Sequence, residues 1–166
     1  LEDVIRFSKN LNNVFVILRY KTLVWMTNVY FKDILNKINN CENIIISMHQ
    51  SESFYAYKLC ANADLIVAKH TSLADECLSH EIPVLFHDYT HNLKKTISLA
   101  FDYSPSGLMC YNFEELLERS KSLLFNSSSK LKNEIAALNK TIYHVKEKGN
   151  IKNKIILDCM RIIQNG

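Results

Sequence analysis

Four short apolar runs constrain this chain more than anything else in it: "VFVILRY", "NIIISM", "DLIVA" and "PVLFH". Each is continuous rather than alternating, which suits a strand buried on both faces of a sheet. Between them lie stretches of helical character. Glu2 to Asn12 carries Val4, Ile5, Phe7, Ser8 and Leu11 at helical spacing. Tyr30 to Ile38, Ser53 to Ala61 and Ser72 to His80 separate the later runs. "GLMCY" reads as a last short strand, followed by helices over Phe113–Phe125, about Lys130–Lys146, and Ile151–Ile163.

Strands that alternate with helices imply crossover connections and a parallel sheet. Right-handed crossovers then place helices on both faces. The expected fold is α/β, a Rossmann-like parallel sheet forming one domain over residues 1–166. A chain of 166 residues with 48% hydrophobic side chains can bury the core this requires. In such sheets ligands sit beyond the carboxyl ends of the strands. That rule nominates Arg19–Lys21, His49–Ser53, Lys69–Ser72 and His87–Asn92.

Charge and cysteine content narrow the function classes. A formal charge of +3 is mildly basic, with no Lys/Arg block and no aromatic–basic alternation. Nucleic acid is therefore not an expected partner. A basic face suits a phosphorylated ligand or anionic lipid, which leaves peripheral membrane association open. No run approaches the ~18 apolar residues of a membrane span, and no secretory signal is visible. Cys41, Cys60, Cys77, Cys110 and Cys159 are far apart and have largely apolar neighbours, so they read as reduced core thiols. The expected location is the cytoplasm, extending to the inner face of the cell membrane. His87, Asp88 and His91 form the closest metal-like cluster, but no metal site is expected there. The chain starts at Leu1 and contains only 3 Gly and 2 Pro, which fits an excised piece of a larger enzyme.

Two readings fit the turn before "LADECLSH". Ser72 opens a helix with Asp75 three residues on, the S-x-x-D form of a capping box. The same free amides and positive dipole end also suit a phosphate oxygen. Thr71 and Ser72 would then add hydroxyl donors, and Lys69 or His70 positive charge. Glu76 lies off the stripe of Leu73, Ala74, Cys77 and Leu78, where it is either solvated or placed to accept hydrogen bonds from a ribose diol. Arg19 directly after a strand offers a fork for phosphate or carboxylate, or a surface ion pair. His49 opens "HQSES", which could frame a nucleobase beside Tyr55 or Tyr57, although those tyrosines read first as packing.

"ADLIVAKHTSLADECLSHEIPVLF" resembles the nucleotide-binding half of the GT-B glycosyltransferases. The shared form is Ala-Asp, a hydrophobic strand, a Ser/Thr turn, a helix carrying an acid, and a Pro-led strand. In that family an acid seven residues before the Pro binds the donor ribose, which falls here on Glu76 before Pro83. The Ser/Thr turn faces the donor phosphates, which falls on Thr71 and Ser72. "FVILRYK", "CYNFEELLERSKSLL" and "KGNIKNKIILDCMRII" are similar to segments of capsule, lipopolysaccharide and teichoic-acid transferases. Asn112 and Glu115 form a further capping box. The chain departs from the pattern at Tyr20-Lys21, where many relatives have His-Pro, and at His80-Glu81-Ile82, where a small residue or Gly is usual.

The resemblance implies a donor-nucleotide domain with the nucleotide and phosphate site on Arg19, His49, His70, Thr71, Ser72 and Glu76. It implies a nucleotide-activated sugar as donor substrate and no further cofactor. A glycan or lipid-linked acceptor would bind a missing N-terminal domain or a partner subunit, where the catalytic base would also lie. Two alternatives stand beside it: half of a UDP-sugar 2-epimerase-like enzyme, and a non-catalytic α/β interaction module.

Overall fold

The computed structural model of the chain describes residues 1–20, 22–48, 54–69, 71–88, 103, 106–126 and 130–141. His49, His70, His91, Cys159 and the helix expected at 151–163 lie outside them, as does the second part of the helix expected over Lys130–Lys146. The described elements run α1 (Glu2–Asn10), β1 (Val16–Leu18), two 3-10 turns (Val24–Thr27 and Val29–Phe31), α2 (Lys32–Asn39) and β2 (Ile44–Ile46). Then come α3 (Tyr55–Ala61), β3 (Ile66–Ala68), α4 (Ser72–Ser79), β4 (Val84–His87), β5 (Met109–Cys110), α5 (Phe113–Phe125) and α6 (Lys130–Thr141). The strands are shorter than the apolar runs that encode them. The helix expected from Tyr30 begins instead as a 3-10 turn, where the Asn28 side chain accepts from the Tyr30 amide.

Every ladder among the described residues is parallel. β1 pairs with β2, Ile17 opposite Ile45. β3 pairs with β4, Val67 opposite Leu85, and β4 with β5, Phe86 opposite Met109. The fold is therefore the Rossmann-like α/β arrangement that the alternation of elements predicts, with its strands in a hydrogen-bonded pair and a hydrogen-bonded triple.

α1 bonds to both groups of strands. Near its start, Asp3 Oδ2 lies 3.4 Å from His87 Nε2, at the carboxyl end of β4. Near its end, the Ser8 carbonyl accepts from Asn43 Nδ2 at 3.0 Å, just before β2. Asn43 Nδ2 also donates to the Val14 carbonyl ahead of β1 at 3.2 Å. A single nine-residue helix thus touches the carboxyl end of β4 and the amino ends of β1 and β2. Within each group the strands run the same way. Arg6 adds a second tie, with its guanidinium 3.8 Å over the Phe113 ring and 3.2 Å from Glu114.

The main core lies around β4, whose four residues are all buried. Leu78, Val84, Leu85, Leu108 and Cys110 expose no surface, and Phe7, Leu11, Leu116 and Leu123 close over them. A smaller core of Leu18, Ile38 and Ile44 is sealed by Val4, Ile5, Ile34 and Ile46 from α1, α2 and β2. Burial on both faces, expected for the first two strands, does not hold there. Ile17 and Ile45 are 47% and 52% exposed, and Phe15 beside them 56%. α1 and α2 cover one side of the β1–β2 pair and leave these side chains on the other.

Capping shapes α4 and α5. The Asn112 side chain accepts from the Glu115 amide at 2.8 Å, and the Glu115 carboxylate reaches back to the Tyr111 amide at 3.1 Å. Asn112 caps as the spacing predicts, while Glu115 takes the Tyr111 amide and the Asn112 side-chain amide rather than the N-cap backbone amide of a capping box. At the far end of α4, Glu81 N donates to the Leu78 carbonyl and Ile82 N to the Cys77 carbonyl, both at 3.0 Å. This is a Schellman ending, with Glu81 in the left-handed region at φ 63° and Pro83 following.

Candidate functional site

The segments that follow the strands begin with Arg19 after β1, Ser47 after β2, Lys69 after β3, Asp88 after β4 and Tyr111 after β5. After β3, the opening turn of α4 differs from the expected capping box. Thr71, in extended backbone at φ −166°, is the N-cap, and its hydroxyl accepts from the Leu73 amide at 3.4 Å. Ser72 is the first helical residue. Both residues have side chains suited to the cap, and the backbone angle decides between them.

Asp75 does not return to the helix amides either. It accepts a 2.5 Å hydrogen bond from the hydroxyl of Tyr103. Tyr103 is wholly buried and stacks on Phe86, with ring centroids 4.7 Å apart and planes 13° apart. Asp75 therefore anchors α4 to the core. Ser72 and Glu76 stay exposed, as their places off the apolar stripe predict, while Ala74, Cys77 and Leu78 are buried.

Glu76 faces α3. The Glu76 carboxylate, through hydrogen bonding first and its charge second, pushes the Tyr57 phenol above its ordinary range. The carboxylate stabilises the protonated phenol and opposes a second negative charge beside it. Sequence reading offered Tyr57 as packing or a stacking ring and missed this pairing across 19 residues. Below it in the same seam, Cys60 and Cys77 are in contact. Burial first, and the neighbouring Cys60 second, push the Cys77 thiol up to about 12, so it stays protonated and inert near neutrality.

The edge beyond β1 and β2 holds a different grouping. Arg19 does not present the open fork expected of it, because Nη1 donates to the carbonyl of Tyr20. Its Nε is shielded from solvent without a partner. Ser47 follows Ile46 as Arg19 follows Leu18, and the Ser47 amide donates to the Leu18 carbonyl at 2.8 Å, so the two residues are neighbours. Ser47 is only 4% exposed, and its hydroxyl is also unpartnered. Tyr20 packs on Trp25 with centroids 4.7 Å apart, and Trp25 Nε1 is likewise shielded without a partner. A buried polar group left without a hydrogen bond costs about 1–3 kcal/mol. Neither Ser47 nor Trp25 stood out in the sequence, although a Ser at the strand position matching Arg19 was the available signal.

His87 is occupied by structure. Its Nδ1 lies 3.4 Å from the Cys110 carbonyl and its Nε2 the same distance from Asp3. The adjacent Asp88 is 2% exposed, and its amide donates to Cys110 at 2.8 Å. Among the described residues no group of three His, Cys, Asp or Glu could hold a metal ion, and no helix is long and apolar enough to cross a membrane. His49 and His70 lie outside the described residues, so Arg19, Thr71, Ser72 and Glu76 are the described members of the expected site. Thr71, Ser72 and Glu76 come together at the opening of α4, whereas Arg19 sits beside Ser47 at the end of the β1–β2 pair. No family model matches this chain, and no curated protein or solved structure does.

Proposed function

We propose that this chain binds the nucleotide of an activated sugar at the opening of α4, as the donor half of a two-domain glycosyltransferase building a bacterial surface glycan. The observation that carries the reading is the division of labour on α4. Thr71 and Asp75 serve the fold, while the Ser72 hydroxyl and the Glu76 carboxylate stay exposed within one turn of each other. A phosphate oxygen would take the free amides and the Ser72 hydroxyl, favoured by the positive end of an eight-residue helix. A ribose diol one turn further on would share the Glu76 carboxylate with Tyr57.

Binding and orienting the donor is then this chain's own part. A separate domain or subunit would hold the glycan or lipid-linked acceptor and remove the acceptor proton. The group transferred would be a sugar or a polyol phosphate. Thermal-shift measurements with CMP, CDP, UDP, GDP and their sugars test the reading. A ligand at 100 times its dissociation constant stabilises by about 2.7 kcal/mol, raising the midpoint by roughly 5–11 °C in a chain of this size.

The exposed Phe15, Ile17 and Ile45 favour a second reading, an interaction module whose open sheet face meets another protein. Indifference to every nucleotide in the panel would select it.

A further inference from the structure

No acidic residue stands between Asp3 and Asp33, and the second half of that stretch, "LVWMTNVYF" over residues 23–31, is mostly apolar and aromatic. In the folded chain it forms the two 3-10 turns that link β1 to α2. Neither turn buries a residue, and neither contributes to either core. Val24 is 72% exposed, and Val29 and Tyr30 are 82% exposed. The aromatic rings of the segment hold one another instead. Tyr20 meets Trp25 at 4.7 Å, Trp25 meets Phe31 at 5.4 Å, and Phe31 meets Tyr30 at 5.1 Å between centroids. Lys32 follows directly, exposed and, among the described residues, in no ion pair. Apolar side chains left in water on one short segment mark a surface that meets something else.

We propose that the turns Val24–Thr27 and Val29–Phe31 dock this chain on an anionic membrane surface. Val24, Val29 and Tyr30 enter the boundary between headgroups and acyl chains, and Lys32 meets the lipid phosphates. The composition selects lipid over a protein partner. Protein interfaces are depleted in Lys, whereas a bilayer surface takes Trp and Tyr at headgroup level and draws Lys and Arg to anionic lipid. An acid-free segment adds no repulsion against such a surface. The linked rings keep the turns in one shape before contact, so little ordering is lost on docking. Apolar insertion and charge attraction then act together, as they do for other interfacial anchors. The surface is separate from the α4 turn and stands whether or not a nucleotide binds there.

Trp25 is the chain's single tryptophan, so indole fluorescence reports on these turns alone. The full chain is sedimented with vesicles of phosphatidylcholine, and with vesicles of phosphatidylcholine mixed with phosphatidylglycerol. It should bind the mixed vesicles well and the neutral ones weakly, and added salt should release it, because exposed charges are screened. Lipids brominated on the acyl chain should quench Trp25 in the bound chain. Val24→Ser with Val29→Ser should lower vesicle affinity about ten-fold or more, the effect of losing two buried valines. The same double variant should melt with the parent in the absence of lipid, since both side chains are already exposed. Lys32→Glu should weaken binding to the mixed vesicles only. No binding to the mixed vesicles, unquenched Trp25 in a bound chain, or unchanged affinity in the double variant would overturn the proposal. So would a lipid-free dimer that the double variant dissociates while vesicles are ignored, because the turns would then serve a second copy. Vesicle binding by a chain that ignores every nucleotide would sink the donor reading and leave the membrane surface standing.

Discussion

Glu81 offers the cleanest measurement of how the turn between α4 and β4 is built. It holds φ 63°, a region in which a side chain's Cβ crowds the following carbonyl. That crowding costs about 1–2 kcal/mol for a residue other than Gly. The Glu81 side chain is exposed, while its amide serves the Leu78 carbonyl. Glu81→Gly therefore removes the strain and keeps the hydrogen bond. Against this, Gly gives the unfolded chain more freedom, a loss of roughly 0.5–1 kcal/mol. The net expectation is a gain of about 0.5–1 kcal/mol. With a urea slope of about 1–3 kcal/mol per molar, the unfolding midpoint should rise by roughly 0.2–1 M at unchanged slope. Glu81→Ala is the necessary control, since it trims the same side chain but keeps Cβ. It should stay within about 0.5 kcal/mol of the parent. Equal shifts for Gly and Ala would show that side-chain removal, and not backbone strain, controls this turn.

Thr71→Ala should lower stability by about 0.5–2 kcal/mol through loss of the cap, whereas Ser72→Ala should leave stability nearly unchanged and weaken nucleotide binding. Urea titrations and binding curves on both variants separate the roles, and the opposite pattern would return the cap to Ser72. Glu76→Gln should reduce nucleotide affinity about ten-fold or more, and 2′-deoxy nucleotides should be discriminated less by the variant than by the parent. Equal discrimination would remove Glu76 from a ribose site. The thiols of Cys77 and Cys110, pushed up by burial to about 12 and about 11, keep their protons in the folded chain while an unfolded thiol loses its own near 9. The unfolded state thus binds fewer protons above pH 9, so stability should fall from there towards pH 12, and Cys77→Ala should flatten that limb in urea titrations at stepped pH.

What could be read from the sequence was mostly local. Strand–helix alternation was enough for a parallel α/β fold, because each crossover is encoded by its own apolar run and helical stretch. The Asn112 cap on the Glu115 amide was legible for the same reason, as its partners lie three residues apart. Thr71 and Ser72 were not separable, since both side chains suit a cap and only φ distinguishes them. Asp75 looked like a helix cap because its partner, Tyr103, is 28 residues away. "VFVILRY" and "NIIISM" are as apolar as "PVLFH", yet only the last is buried on both faces. Which strands acquire a second cover depends on how later segments pack, and no periodicity within the strand records it. Ser47 and Trp25 drew no notice because an orphaned donor exists only once its neighbours are placed.

The bonds of α1 have a further consequence for the order in which this domain can fold. Its contact with His87 spans 84 residues of chain, and its contact with Glu114 spans 108. α1, synthesised before β4 and α5, therefore waits for both before it can dock on either. Loop closure over such distances must be offset by the contacts it enables, which places α1 docking among the late, slow steps. Until then the side chains that seal the smaller core, Val4 and Ile5 among them, have only α2 and the β1–β2 pair to pack against. An Asp3→Ala, Arg6→Ala chain should accordingly unfold faster with little change in its folding rate, the kinetic signature of contacts absent from the transition state.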